Sequence, residues 1–405
     1  MAESIKDKIA VVGMGCSKFG ERWNCGLEDL VIEAAYEAYE DAGVQPKDIQ
    51  AGWVGCMFNS TAAATLAFPL KFGTIPCTRV ENACGSGHEA IKGACYALAA
   101  KAFDLVIAVG VEKLKDQGGG ALGGGGTAAY GTELWNPVYF YGVGGPSRYA
   151  LAATRYFAKY GLNPDQGKRI LARISVKSHY YGARNPKAHL RREVTEEQVM
   201  NAPIISWPLG LFDCCGNSDG AAAAILCRAE DAKKYRDDYV VFKALGAAAG
   251  PGTGKILTSY DYTSWTETEG AARQAYEQAG IKNPRKEIDL VELHDCFSIA
   301  ELVATESLFL CERGKYKEQM SDPKAYYIEG DMSVNTSGGL KSFGHPIGAS
   351  GCREVYESYK QIQGKAKEPS RQKKTWKTDK KLSLAHNQGG HPGKFACNIT
   401  IIGLP

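Results

Sequence analysis

A segment that occurs twice constrains this chain more than any other feature. Ala38-Tyr-Glu-Asp-Ala-Gly43 closes a helical pattern, and Val44-Gln-Pro-Lys-Asp-Ile49 leads from it into the apolar run 51–55. Ala275-Tyr-Glu-Gln-Ala-Gly280 does the same, crosses a Pro- and Lys-bearing stretch, and enters the run 290–293. Each helical pattern stops at a glycine, which takes the left-handed turn past a helix end without a Cβ clash. Ile9 to Gly13 opens the first half and Val240 to Leu245 the second, with 104–109 matched to 395–401. Strands alternating with helices in two copies predict a duplicated α/β fold with mostly parallel pairing. The expected parts are 1–111, a first half; 112–235, an inserted loop or cap region that returns to that half; and 236–405, the second half.

The 405 residues suffice for two such cores, and 44% hydrophobic with 23% charged residues is ordinary for a soluble globular chain. A net charge of +3 is too mild to indicate nucleic acid or an anionic membrane surface as partner. No apolar run reaches the ~18–20 residues of a membrane helix. The charged start Met-Ala-Glu-Ser-Ile-Lys-Asp-Lys has no secretory pattern, so a cytoplasmic location is expected. Several of the 13 cysteines, Cys95, Cys227, Cys311 and Cys397 among them, lie inside apolar runs, which predicts free thiols. No Cys-x-x-Cys or Cys/His spacing suggests a metal.

Three segments carry chemistry. In Glu81-Asn-Ala-Cys84-Gly-Ser-Gly87, Cys84 follows a strand-like stretch and opens a helical one. A thiol at a helix N-terminus is expected to have a lowered pKa, because the partial positive charge there favours thiolate. Glu292-Leu-His294-Asp-Cys296-Phe-Ser298 lies at a strand end, where α/β proteins bind ligands. Residues two apart on extended chain project to one side, so His294 and Cys296 would share a pocket. The third stretch runs from Asn335 to Gly351 and surrounds His345 with glycines, with a helix expected after Pro346. A buried imidazole in such a loop suits proton abstraction from a thiol.

Between the halves, Gly118 to Gly126 is a glycine run that lacks the Lys-Ser/Thr of a phosphate loop and reads as flexible connection. Helices are expected from Ser147 to about Tyr160 and from Asp165 to Ala183. The Lys-rich stretch 365–381 reads as a solvated loop.

These motifs, in this order and over essentially the whole chain, resemble the thiolase superfamily. Cys84 matches its acylated nucleophile and Gly344-His345-Pro346 its activating histidine. His294-Asp-Cys296-Phe is similar to the sterol-carrier-protein-linked and archaeal type, in which this cysteine replaces one nearer the C-terminus. Where the other type carries Cys-x-Gly, this chain has Ala385-His-Asn-Gln-Gly-Gly390, and His386 has no assigned role. The resemblance implies a duplicated fold of two βαβαβ-type halves, with mixed sheets layered α/β/α/β/α and an inserted loop domain. It implies thiolysis of a 3-oxoacyl-CoA through an acyl thioester on Cys84, with coenzyme A as co-substrate and no tightly bound cofactor. In that scheme His345 is the base and Cys296 the proton donor. His294 and His345 hold the enolate oxygen, and the N–H of Cys84 with that of Gly389 or Gly390 holds the tetrahedral oxyanion. It further implies a homodimer and a small OB-fold, zinc-ribbon accessory protein. Aromatic residues Trp135, Tyr139, Phe140 and Tyr141 would suit a bulky acyl group such as benzoylsuccinyl-CoA. The alternatives are an acetoacetyl-CoA thiolase working with a synthase, a retro-aldolase of β-hydroxyacyl-CoA, and a non-catalytic scaffold for an OB-fold partner.

Overall fold

The computed structural model describes residues 4–59, 63–117, 144–252, 254, 259–322, 324–366 and 368–405. The glycine run 118–126 and the aromatic residues 135–141 lie outside them. In chain order the principal elements of the first half are β1 (Ile9–Cys16), α1 (Leu27–Ala42), β2 (Ala51–Gly55), β3 (Cys77–Val80), α2 (Ser86–Ala99) and β4 (Leu105–Lys113). Helices α3 (Gly145–Lys159) and α4 (Pro164–Arg184) follow, then a small hairpin of β5 (Ile204–Ser206) and β6 (Leu209–Gly210), then β7 (Asp219–Arg228). The remainder is β8 (Val240–Ala249), α5 (Thr266–Ala279), β9 (Leu290–Leu293), α6 (Ser298–Ser307), β10 (Ser333–Val334), α7 (Gly339–Phe343), α8 (Ser350–Ile362), β11 (Ser383–His391) and β12 (Lys394–Gly403).

The duplication extends to the C-terminal caps of α1 and α5. Gly43 and Gly280 take φ of 69° and 78°, and the N–H groups of Gly43 and Val44 bond to the carbonyls of Glu40 and Tyr39. Gly280 and Ile281 repeat this on Glu277 and Tyr276. Strand order is β3-β2-β4-β7-β1 in one half and β10-β9-β11-β12-β8 in the other. In each half the first three strands pair parallel and the last two connections are antiparallel. The pairing is therefore mixed rather than mostly parallel. Residues 395–401 belong to β12, whose counterpart is β7, while 104–109 in β4 correspond to β11. The offset arises because β12 follows β11 directly in a hairpin, whereas β7 follows β4 only after α3 and α4. A short antiparallel contact, Ala10 with Val241 and Val11 with Val240, joins the halves into one ten-stranded sheet among the described residues.

Both faces of this sheet are buried. Along β7, Ala222, Ala224 and Leu226 pack into the central layer with α2 and α8, while Ala221, Ala223 and Ile225 pack beneath α1. That period of two is what a doubly covered strand requires. Helix α1 buries Leu30, Val31, Ala34, Ala38 and Tyr39 on one stripe, and α5 buries Ala271, Ala272 and Ala275 on the other half. Burying each Leu- or Val-sized side chain stabilises by roughly 1.5–3 kcal/mol.

The two central helices meet where the backbone carries no side chains. A Cβ on Gly110 of β4 would lie 2.2 Å from the Gly348 carbonyl oxygen, and one on Gly87 of α2 would lie 2.6 Å from the same atom. One on Gly351 would lie 2.6 Å from the His88 nitrogen. Glu112 ties this contact together: its carboxylate accepts N–H bonds from Met57 (2.9 Å), Phe58 (2.9 Å) and Gly348 (3.1 Å). The stretch 365–381 is less solvated than its composition suggests. Arg371 is buried on Glu357 (2.6 Å) and the Thr336 carbonyl, and buried Lys373 reaches Ser333 Oγ at 3.0 Å. All thirteen cysteines are free, and no helix among the described residues is long and apolar enough to cross a membrane.

Gly110→Ala should therefore lower stability by about 1–3 kcal/mol, the usual range for overpacking. It should also displace the loop of His345, so urea unfolding and turnover of the variant should fall together.

Candidate active site

Cys84 occupies the turn between β3 and α2. Ala83 before it has φ of 47°, a left-handed conformation that costs a residue with a Cβ of order 1–3 kcal/mol and turns Cys84 out of the strand direction. Gly85 N–H bonds to Asn82 O (2.9 Å), and Ser86 Oγ donates to Ala83 O (2.6 Å) while accepting Asn82 N–H (2.9 Å). The turn is thus held from both sides.

Three remote segments converge there. Cys84 Sγ, a ring nitrogen of His294 and a ring nitrogen of His345 all lie within 4.8 Å of one another. The imidazoles meet edge to face, with centroids 5.0 Å apart and planes at 89°. His345 follows α7 rather than opening a helix, and α8 begins at Ser350.

The partners of the two imidazoles set opposite tautomers. His345 Nδ1 is 2.7 Å from Ser350 Oγ, whose hydroxyl donates to Pro346 O at 3.1 Å. Ser350 Oγ is left to accept from Nδ1–H, so His345 Nε2 carries a lone pair; it is buried and unpartnered among the described residues. At His294 the Asn387 side-chain amide donates from Nδ2 to Nδ1 (3.1 Å), and the same nitrogen reaches Glu354 Oε1 at 3.5 Å. The carboxyl oxygen on that side orients the amide, and His294 Nε2 then carries the hydrogen. These assignments follow from the hydrogen-bond network. One ring is built to take a proton and the other to donate a hydrogen bond.

Burial keeps the cluster neutral. Desolvation, with a smaller contribution from Arg353, lowers His345 to about 3. His294 is pushed well below its ordinary value by burial and then by His345. Cys84 is half-buried as a residue, but its thiol is desolvated; burial first and Glu112 second push it up to about 12. The lowered thiol pKa expected from the helix N-terminus is therefore not found. Desolvation and a nearby carboxylate outweigh the helix dipole, so the resting pair is thiol and neutral imidazole.

Alternation along 294–296 separates the side chains as expected of extended chain. Asp295 turns away to accept the Leu340 N–H (2.5 Å), and Glu292 pairs with buried Arg353 (2.6 Å) behind the site. Cys296 is buried, its thiol on the Tyr149 hydroxyl, and its pKa is raised well above normal by burial and by Cys215. Tyr149 also accepts from Gln388 Nε2 (3.4 Å) and packs on Phe297 with centroids 4.6 Å apart. Gly389 lies against the nucleophile turn, since a Cβ there would meet Asn82 O at 1.9 Å. Gly390, with φ of 103°, instead crowds Lys394 O across the hairpin. His386 lies behind His294, whose backbone N–H points to its Nδ1 at 3.5 Å.

Sequence reasoning passed over Ser350, Asn387, Glu354 and Tyr149. Ser350 and Asn387 lie in the motif stretches that it did single out. Tyr149 carried no local signal, because only folding of α3 against α6 and β11 brings it to Cys296.

Residues 9–230 match the family model "Thiolase, N-terminal domain" and residues 250–401 match "Thiolase C-terminal domain-like". The chain belongs to the thiolase family. It is 38% identical over 397 residues to an acetyl-CoA acetyltransferase of Methanothermobacter thermautotrophicus, covering 96% of this chain and 98% of that one. It is 32% identical to the benzoylsuccinyl-CoA thiolase subunit BbsB of Thauera aromatica, over 88% and 90% of the two chains. Among solved structures, an Ltp2–ChsH2(DUF35) aldolase superposes with a TM-score of 0.82 at 23% identity, covering 99% and 98%; that likeness is one of fold. This thiolase is an acyltransferase with coenzyme A as co-substrate.

His88, His345 and His386 are each held at about 3 by burial, against about 6.5 in an unfolded chain. Between those values the unfolded state binds more protons, so this contribution is complete above pH 6.5 and is lost as pH falls. Stability should drop by about 1.4 kcal/mol per pH unit for each histidine below pH 6. Urea titrations at pH 6.5 and 5.0 check this, with His88→Gln giving the shallower dependence. The pH profile of kcat/KM should correspondingly show no acid limb near 6.5 from His345.

Proposed function

We propose that this thiolase cleaves and forms short 3-oxoacyl-CoA thioesters of the acetoacetyl-CoA class. The observation that carries the reading is the Cys84–His294–His345 cluster with its opposite tautomers. His345 Nε2 takes the Cys84 proton, and the thiolate attacks the 3-keto carbon. The resulting oxyanion rests on the N–H groups of Cys84 and Gly389, the glycine that borders the nucleophile turn. Collapse breaks the bond between C2 and C3 and leaves an acyl group on Cys84. The acetyl-CoA enolate is held by His294 Nε2–H and by the now protonated His345, and Cys296 gives the enolate carbon its proton. Coenzyme A then gives its thiol proton to Cys296 and attacks the thioester, and His345 reprotonates Cys84. Condensation is the same path in reverse.

The burial that keeps Cys296 a thiol supports its role as acid, and donors placed where charge develops give the largest catalytic return. The likeness to an acetyl-CoA acetyltransferase favours a small acyl group. The second reading, a bulky aromatic acyl group such as benzoylsuccinyl-CoA, is favoured by the likeness to BbsB. Comparing kcat/KM for the two substrates decides between them. A cytoplasmic homodimer with a small OB-fold accessory protein belongs to the same proposal. It is supported by a relative that is itself a subunit and by a structural neighbour solved as a two-component aldolase. Light scattering of the chain alone and co-expressed with that partner tests it.

Cys84→Ser should abolish thiolysis, whereas retro-aldol activity would survive it. Acyl-CoA should slow iodoacetamide modification of Cys84 while leaving that of half-buried Cys25 and Cys77 unchanged; an equal rate at Cys84 with and without acyl-CoA would sink the acyl-enzyme reading. Asn387→Leu should release the His294 tautomer and lower kcat by up to about 10²–10³, the cost of losing His294 Nε2–H as an oxyanion donor, with little change in KM.

A further inference from the structure

The lone pair of His345 Nε2 is buried and unpartnered among the described residues, in a cluster where a thiol and a second imidazole offer ligand atoms within 4.8 Å. One thiolate with two imidazoles is a donor set that suits zinc and its neighbours. Tetrahedral zinc bonds of 2.0–2.3 Å separate ligand atoms by roughly 3.3–3.8 Å, so shifts of about 1 Å would bring all three onto one ion. The three come from separate segments, which is why no zinc spacing exists in the sequence.

We propose that Cys84, His294 and His345 bind one thiophilic divalent cation of the zinc class, and that its occupancy blocks acyl transfer by holding the nucleophile and its base. The blocking rests on the acyl-transfer reading above; the binding rests on the cluster alone.

Two features beside the cluster support it. Asn387 Oδ1 is buried and unpartnered among the described residues. To ligate through Nε2, His294 must shift its hydrogen to Nδ1. A turn of the Asn387 amide presents Oδ1 to accept it, and Glu354, which burial holds protonated, donates to the same oxygen in place of accepting from the amide. Glu112, whose carboxylate accepts backbone N–H bonds from Met57, Phe58 and Gly348, also acts on Cys84, and its charge favours a cation there. Arg353 opposes it, but its guanidinium is paired with Glu292. On binding, the Cys84 thiol releases its proton to solvent and the sulfur bonds the metal, with no change of oxidation state. The fourth position stays open to water or to the thiol of coenzyme A, as in zinc sites with three protein ligands.

Metal-free full-length chain titrated with Co2+ tests the binding. A thiolate-to-cobalt charge-transfer band with intense tetrahedral d–d bands should saturate at one ion per chain and be displaced by Zn2+. It should be lost in Cys84→Ser and weakened at least tenfold in His345→Ala. Wild-type chain carbamidomethylated at Cys84 gives the same test without a substitution. A band that survives either change, as from Cys214 and Cys215, or no band at all, overturns the site. Zn2+ should protect Cys84 from iodoacetamide, and a chelator should restore both labelling and turnover. If the cobalt band forms but the metal-free chain transfers no acyl group, the acyl-transfer reading fails and the metal site stands. If turnover is robust, unaffected by Zn2+ and accompanied by no band, the metal site alone fails.

Discussion

The structure depends on a close approach between two backbones. The helix that follows Cys84 and the loop that carries His345 touch through Gly87, Gly110, Gly348 and Gly351, positions where a Cβ would fall 2.2–2.6 Å from a backbone atom. Interiors pack at crystal-like density, so a methyl group at such a contact would move the loop and not merely crowd it. Glu112 fixes the same contact from the side by gathering N–H groups from the loop after β2 and from Gly348. A buried carboxylate with several donors is strongly oriented. Cys84 and His345 are thereby placed by main chain, with little left to side-chain flexibility.

That placement removes water, and desolvation then sets the electrostatics. Cys84 and Cys296 are held as thiols and His345 as neutral imidazole, each with burial as the leading cause. A neutral cluster avoids the cost of holding an unpaired ion in the interior and leaves donor and acceptor positions to the tautomers. Ser350 and Asn387 choose those tautomers through bonds of 2.7 and 3.1 Å to the Nδ1 atoms of His345 and His294. The division of labour between two chemically identical rings is a property of their neighbours.

Much of this was legible along the chain. The repeated helix, glycine and strand identified the duplication, because a helix end that needs a left-handed residue leaves a local mark. Cys84, His294, Cys296 and His345 stood out for similar reasons, since strand ends and glycine-rich turns are local patterns. The pKa of Cys84 was misread because the helix dipole is visible in sequence, whereas desolvation and the approach of Glu112 are not. The offset between 104–109 and 395–401 arose in the same way. A strand's apolar pattern does not say which neighbour it pairs with.

The sequence by itself determined the repeating unit and the helix stops and singled out the candidate site residues, all of which are marked by patterns among residues close in the chain. Only the tertiary structure decided which strand pairs with which, that Tyr149 stands on Cys296, and that three segments put a thiol and two imidazoles within 4.8 Å. The physical reason is range. Local sterics and hydrogen bonds act over a few residues, whereas burial, tautomer choice and the convergence of remote groups depend on which surfaces the whole chain brings together.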